Sequence, residues 1–173
     1  MKRFLYKYHS YLITIIAILV VFLGLHAAIQ SSIVLGYSME PNFETGQRLI
    51  VNKIVYKFDE IGRGDVVILH PPSDTNVEYI KRVIGLPGET VEIKNGYVFI
   101  NGEPLEEPYI SDAPNYTVKK LVVPQGYCFV LGDNRNNSND SHIWGPLSEH
   151  NIIGKVWLSI WPPSEWEIIS NLF

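Results

Sequence analysis

The chain has 173 residues, 46% of them hydrophobic and 18% charged, with a single cysteine. That is room for one globular domain and something more, and it excludes low-complexity disorder and an internal disulfide framework. The formal charge of −4 is uneven: residues 1–9 carry Lys2, Arg3 and Lys7 and no acid, leaving −7 on the other 164 residues, the opposite lean from a nucleic-acid-binding domain.

Residues 11–29 form a run of 19 without a formal charge, and a helix of that length is roughly 28 Å long, enough to cross a bilayer core. The basic cluster lies before the run, so the positive-inside rule places residues 1–10 in the cytoplasm and residues 30–173 outside, as the extracytoplasmic domain. A basic start, an apolar run and small residues at Ala27 and Ala28 also fit a cleavable secretory signal, but the run exceeds the roughly 7 to 15 residues of a usual signal core. A retained anchor is the better reading.

After the anchor the pattern changes to short β segments broken by Gly, Pro, Asn and Asp. Strands are expected at Arg48–Val55, Asp65–His70, Glu78–Gly85, Thr90–Lys94, Tyr97–Asn101, Lys119–Val123, Tyr127–Leu131 and Ile152–Trp161. Asn95-Gly96 reads as a two-residue hairpin turn, because this pair readily takes the positive φ angles of type I′. Glu106–Thr117, with two prolines and no apolar alternation, reads as a surface loop or mobile insertion. Cys128 reads as a core thiol. The aromatic stretch Trp157–Trp166 fits either contact with a membrane interface or a final core strand. The fold class is therefore mainly β, a domain of antiparallel sheets behind one N-terminal transmembrane helix.

Three stretches stand out against this background. Gly36-Tyr37-Ser38-Met39-Glu40-Pro41 places a serine in a turn just past the membrane exit, and Pro41 holds Glu40 away from helical conformations. In Glu78–Gly85, alternation sets Tyr79, Lys81 and Val83 on one face and Ile80, Arg82 and Ile84 on the other. Lys81 then sits among apolar neighbours, where desolvation lowers an amine's pKa towards values usable by a general base. Taken alone, Ser38 reads as a turn serine and Lys81 as a lysine that snorkels to solvent or pairs with an acid. The third stretch, Gly132-Asp133-Asn134-Arg135 through Gly145, is polar but lacks the spacing of a calcium loop, with Arg135, Ser138 and Trp144 where liganding acids and a glycine belong. A triad through His70, His142 or His150 remains open on spacing, although His70 and His150 look structural. No zinc pattern is present, and no metal or cofactor is expected.

Together, and in this order, the anchor, Ser38-Met39-x-Pro41, Gly64-Asp65-Val66-Val67, Lys81 through Glu89, and Gly132-Asp133-Asn134-Arg135 with Ser138, Asp140-Ser141 and Trp144-Gly145 resemble the type I signal peptidases. These are membrane-anchored Ser/Lys endopeptidases that remove signal peptides from exported preproteins. The resemblance implies Ser38 as nucleophile, Lys81 as general base and Ser138 as the group orienting the lysine amine. Asp133, Arg135 and Asp140 become scaffold residues, with Arg82 as the ion-pair partner of Asp133. The oxyanion falls to the backbone N–H of Ser38, since Gly36 stands where some members add a serine hydroxyl. His142 stands where many carry arginine, which implies a pairing with Asp140 that is weaker or pH-dependent. The likeness further implies a substrate lying extended beside Val34, Gly36, Met39, Tyr79 and Ile80, cut after an Ala-x-Ala sequence through an acyl-enzyme. It also implies a monomer in a cytoplasmic or thylakoid-type membrane, whose partners are signal peptides and the lipid bilayer, with no nucleic acid. Two rivals are an autoprotease like the SOS repressors, which would carry a helix-turn-helix in place of the anchor, and a non-catalytic membrane-anchored β module. The distance between Ser38 Oγ and Lys81 Nζ decides the latter.

Overall fold

The computed structural model describes residues 2–169. Helix α1 (Lys2–Ala28) contains the apolar run, exposed throughout its described side chains, and it passes without a linker into β1 (Ile29–Ile33). The anchor was expected to reach Ile29; the helix ends one residue earlier because Lys53 N–H donates to Ala28 C=O at 2.9 Å and Ile29 pairs with Asn52. Strand β1 lacks alternation and was not expected from the sequence.

There follow β2 (Arg48–Asn52), β3 (Val66–Leu69), β4 (Tyr79–Gly85), β5 (Thr90–Lys94), β6 (Tyr97–Ile100), β7 (Glu103–Pro104), β8 (Val118–Val122) and β9 (Tyr127–Leu131). The chain continues through a one-turn helix, α2 (Ser141–Trp144), then β10 (Leu147–Ser148), β11 (Ile152–Trp161) and β12 (Glu167–Ile168). All pairings are antiparallel, in a large sheet ordered β1-β2-β11-β3-β4-β9-β10 with β12 on β11, and a small sheet ordered β7-β6-β5-β8. The mainly β architecture is as expected from the sequence, with all eight predicted strands present.

Period-two alternation explains why β3 is buried on both sides. Val66 and Ile68 enter a core with Val34, Met39 and Val156, while Val67 and Leu69 enter another with Val83, Cys128 and Leu147. Cys128 is a core thiol, and burial pushes its pKa up to about 12. A third core fills the small sheet, whose β5–β6 turn has positive φ at both Asn95 and Gly96, as type I′ requires. A second such pair, Asn101-Gly102, ends β6 at Ile100 and turns the chain into β7.

Glu106–Thr117 is a loop but not a loose one: Tyr109 is buried at its centre, and Asn136 holds both the Asn115 N–H and the Ala113 carbonyl. At the chain's end the strand reading and the surface reading both apply, since β11 buries Val156 and Ser159 while Trp157, Trp161 and Trp166 face outward.

Gly154 lets β11 pass close to the end of β2, where an added Cβ would lie 2.4 Å from the Asn52 carbonyl oxygen. Backbone cannot yield as a side-chain tip can. Gly154→Ala is expected to lower stability by about 1–3 kcal/mol, read as a fall of several degrees in the thermal unfolding midpoint of the detergent-solubilised chain.

Candidate active site

A cleft of about 560 Å³ opens between the chain leaving β1 and the start of β4, with Ser38 and Lys81 at one end. Lys81 Nζ lies 2.7 Å from Ser38 Oγ and donates to the Ile80 carbonyl, also at 2.7 Å. The lysine is 3% exposed, with the Tyr79 ring 5.2 Å from its nitrogen. Burial lowers its pKa from 10.5 to about 8, against the opposing pull of the Asp140 and Asp133 charges. The side-chain alternation expected along β4 is what delivers it: Lys81 and Tyr79 share one face, while Arg82 points to the other.

Ser38 sits in a chain of turns after Gly36, whose φ of +86° lies in the region that favours glycine. Asn134 grips this segment twice, through Nδ2 to the Tyr37 carbonyl and through its N–H to the Ser38 carbonyl, each at 3.1 Å. Gly132 packs against the same carbonyl so closely that a Cβ there would stand 2.4 Å from it. Among the described residues the Ser38 N–H donates to no other group, which leaves it available to an oxyanion.

Behind the pair lies a buried network of charges. Arg82 meets Asp133 through Nε at 2.8 Å and Nη2 at 2.6 Å, the pairing expected from the sequence, and it also donates to the Gly64 carbonyl. Asn42 adds a third donor to Asp133. Arg135 is held by both carboxylate oxygens of Glu107 and by the Gly132 carbonyl. The Tyr109 ring lies between the two guanidinium groups, 4.3 Å from Arg82 and 5.9 Å from Arg135. Asp140 accepts from the Gly132 N–H at 2.9 Å and meets His142 Nδ1 at 2.7 Å, with the imidazole stacked on Tyr116.

Two expectations need correction. Ser138 does not orient the lysine: its Oγ is buried against Gly132 with no hydrogen-bond partner among the described residues, and the Ile80 carbonyl fixes the amine instead. Met39 does not face the cleft but is fully buried in the core beneath it, whereas Val34, Gly36, Tyr79 and Ile80 do line it. The histidines stand elsewhere, His70 on the Val77 carbonyl and His142 on Asp140, and no histidine is among the cleft-lining residues described. Asn134 was quoted in its motif without a role, and Asn42, Glu107 and Tyr109 were not singled out from the sequence. Neither were Asn137 and Asn139, which line the cleft.

Removing one partner of a buried ion pair leaves an uncompensated charge. Asp133→Ala is therefore expected to destabilise the fold by about 3–5 kcal/mol, while Asp133→Asn, which keeps acceptor oxygen, loses less. Denaturant midpoints of the two variants measure the difference.

The family described as signal peptidase, peptidase S26, matches residues 7–161. A probable signal peptidase I-1 from Synechocystis sp. is 48% identical over 136 residues, covering 75% of this chain and 69% of that protein. Signal peptidase IB from Staphylococcus aureus (strain MRSA252) is 39% identical over 154 residues, covering 79% of this chain and 80% of that protein. A crystal structure of a signal peptidase I from Enterococcus faecalis V583 superposes with a TM-score of 0.50 at 33% identity, covering 56% of this chain and 97% of that one. The chain therefore belongs to the S26 family of signal peptidases, serine hydrolases that cut signal peptides.

Proposed function

We propose that cleavage proceeds through a Ser38/Lys81 dyad, and the observation that carries this is the 2.7 Å approach of a buried lysine amine to the serine hydroxyl. A serine hydroxyl is a weak nucleophile until a base takes its proton, and a neutral amine can do so. Ser38 Oγ attacks the scissile carbonyl carbon as its proton passes to Lys81 Nζ. The Ser38 N–H donates to the oxygen that gains charge. When the C–N bond breaks, the ammonium returns the proton to the leaving amine; Lys81 then draws a proton from the water that attacks the acyl ester and passes it to Ser38 Oγ as the ester C–O bond breaks.

The cleft walls at Val34 and Tyr79-Ile80 suit a substrate lying extended between them. Shallow apolar walls there favour alanine at the first and third positions before the cut and clash with larger side chains. The protein acts as a membrane-anchored monomer on exported preproteins. The apolar length of α1 and the outward tryptophans of the C-terminal segment favour attachment to a bilayer, and Lys2, Arg3 and Lys7 favour a cytoplasmic N-terminus.

The base must be unprotonated, so kcat/KM is expected to rise with pH about tenfold per unit below an apparent pKa near 8 and to level off above it. Ser38→Ala should lose more than about 10⁴-fold. Lys81→Arg keeps the charge, cannot deprotonate, and should be as inactive as Lys81→Met. His70→Ala, His142→Ala and His150→Ala should each retain measurable cleavage. Activity in Lys81→Arg would overturn the dyad.

Topology is tested separately. Protease added outside spheroplasts is expected to digest residues 30–173 and spare an N-terminal tag; an intact domain with a lost tag would reverse the orientation.

A further inference from the structure

Two formally charged side chains, Lys81 and Glu78, are among the described residues lining the cleft. Lys81 is buried and engaged with Ser38, so the charge presented to an incoming peptide belongs to Glu78. It stands just before β4 and reaches across to β1, where Gln30 Nε2 donates to its two oxygens at 3.0 and 3.2 Å and Ser32 Oγ donates at 3.4 Å. These donors are neutral. They hold the carboxylate in place without cancelling its charge, and they leave acceptor capacity on both oxygens. Among the described residues no lysine, arginine or histidine pairs with it.

Its position along the cleft follows from chain geometry and rests on the substrate path proposed above. Ser32 lies two residues beyond Val34, away from Ser38, and each strand residue advances the chain by about 3.3 Å. A peptide whose first and third residues before the cut lie beside Val34 and Tyr79 therefore carries its fourth and earlier residues to Ser32 and Glu78. The Gln30–Glu78 bond joins the two walls beyond that point, so a peptide continuing outward passes over the exposed carboxylate.

We propose that Glu78 is a specificity-determining residue. It favours a basic side chain about four to seven positions before the scissile bond, the span the strand rise allows, and disfavours an acidic one there. Because the carboxylate is exposed, the preference is that of a solvent-facing ion pair, roughly two- to five-fold in kcat/KM, and it weakens as salt screens the charge.

The test uses the full chain in neutral detergent and a set of uncharged Ala-x-Ala peptides carrying a single Lys, Ala or Glu at each of these positions. At one position or more, wild type should cut the Lys peptide several-fold faster than the Glu peptide at low salt, and the ratio should shrink in high salt. Glu78→Gln should flatten the ratio and Glu78→Lys invert it, while both variants still cut the all-Ala peptide. A flat scan in wild type, or a Lys preference that survives in Glu78→Gln or Glu78→Lys, would overturn the proposal with the dyad untouched. Unimpaired cutting of the all-Ala peptide by Ser38→Ala would instead overturn the dyad.

Discussion

An amine kept out of water beside a serine hydroxyl is the constraint around which this domain is arranged. At neutral pH, a shift from 10.5 to about 8 means that desolvation outweighs the pull of Asp140 and Asp133 by about 3 kcal/mol. That is a large share of the 5–15 kcal/mol by which domains are usually stable. The unfolded chain holds the lysine proton up to about pH 10.5, so the penalty is complete below pH 8 and lifts as pH climbs between the two values. Rigid neighbours must absorb it. Strand β4, buried along nearly its whole length and paired on both sides, supplies them.

The surrounding charges are organised so as not to undo this. Asp140 and Asp133 both pull the lysine towards its protonated form, yet each is occupied, Asp133 by Arg82 and Asn42, Asp140 by His142 and the Gly132 N–H. The same bonds fix the loop after β9, whose Asn134 and Gly132 bear on the serine from behind. Glu107 and Tyr109, from the long loop after β7, complete the arrangement by enclosing Arg135 and Arg82. The loop that reads from its prolines as surface decoration thus joins the small sheet to the Ser38–Lys81 end of the large one.

What could be read in advance follows from how local each signal is. Alternation along β4 placed Lys81 and Arg82 on opposite faces, and Asn95-Gly96 announced its own turn, because both effects need only neighbours in sequence. Strand β1 could not be read this way: Gln30-Ser31-Ser32 carries no period, and it is a strand because Val51, Ile50 and Leu49 stand opposite. Tyr109 lacked any local mark, since its ring meets two arginines 27 and 26 residues away in sequence and packs into the core of the small sheet. Met39 invited the wrong placement for the converse reason: adjacency to Ser38 suggests the cleft, but successive residues in a tight turn diverge, and this one goes inward.

With α1 spanning a bilayer as proposed, its direct passage into β1 restricts how the chain meets bilayers of different thickness. An extra residue between Ala28 and Ile29 would either break the bond from the Lys53 N–H to the Ala28 carbonyl or slip β1 against β2 by one position and exchange its faces. Hydrophobic mismatch must then be met by tilt, or by gaining and losing residues ahead of Tyr11. The C-terminal end of the helix is then a datum, and the height of Ser38 above it is fixed by the sheet.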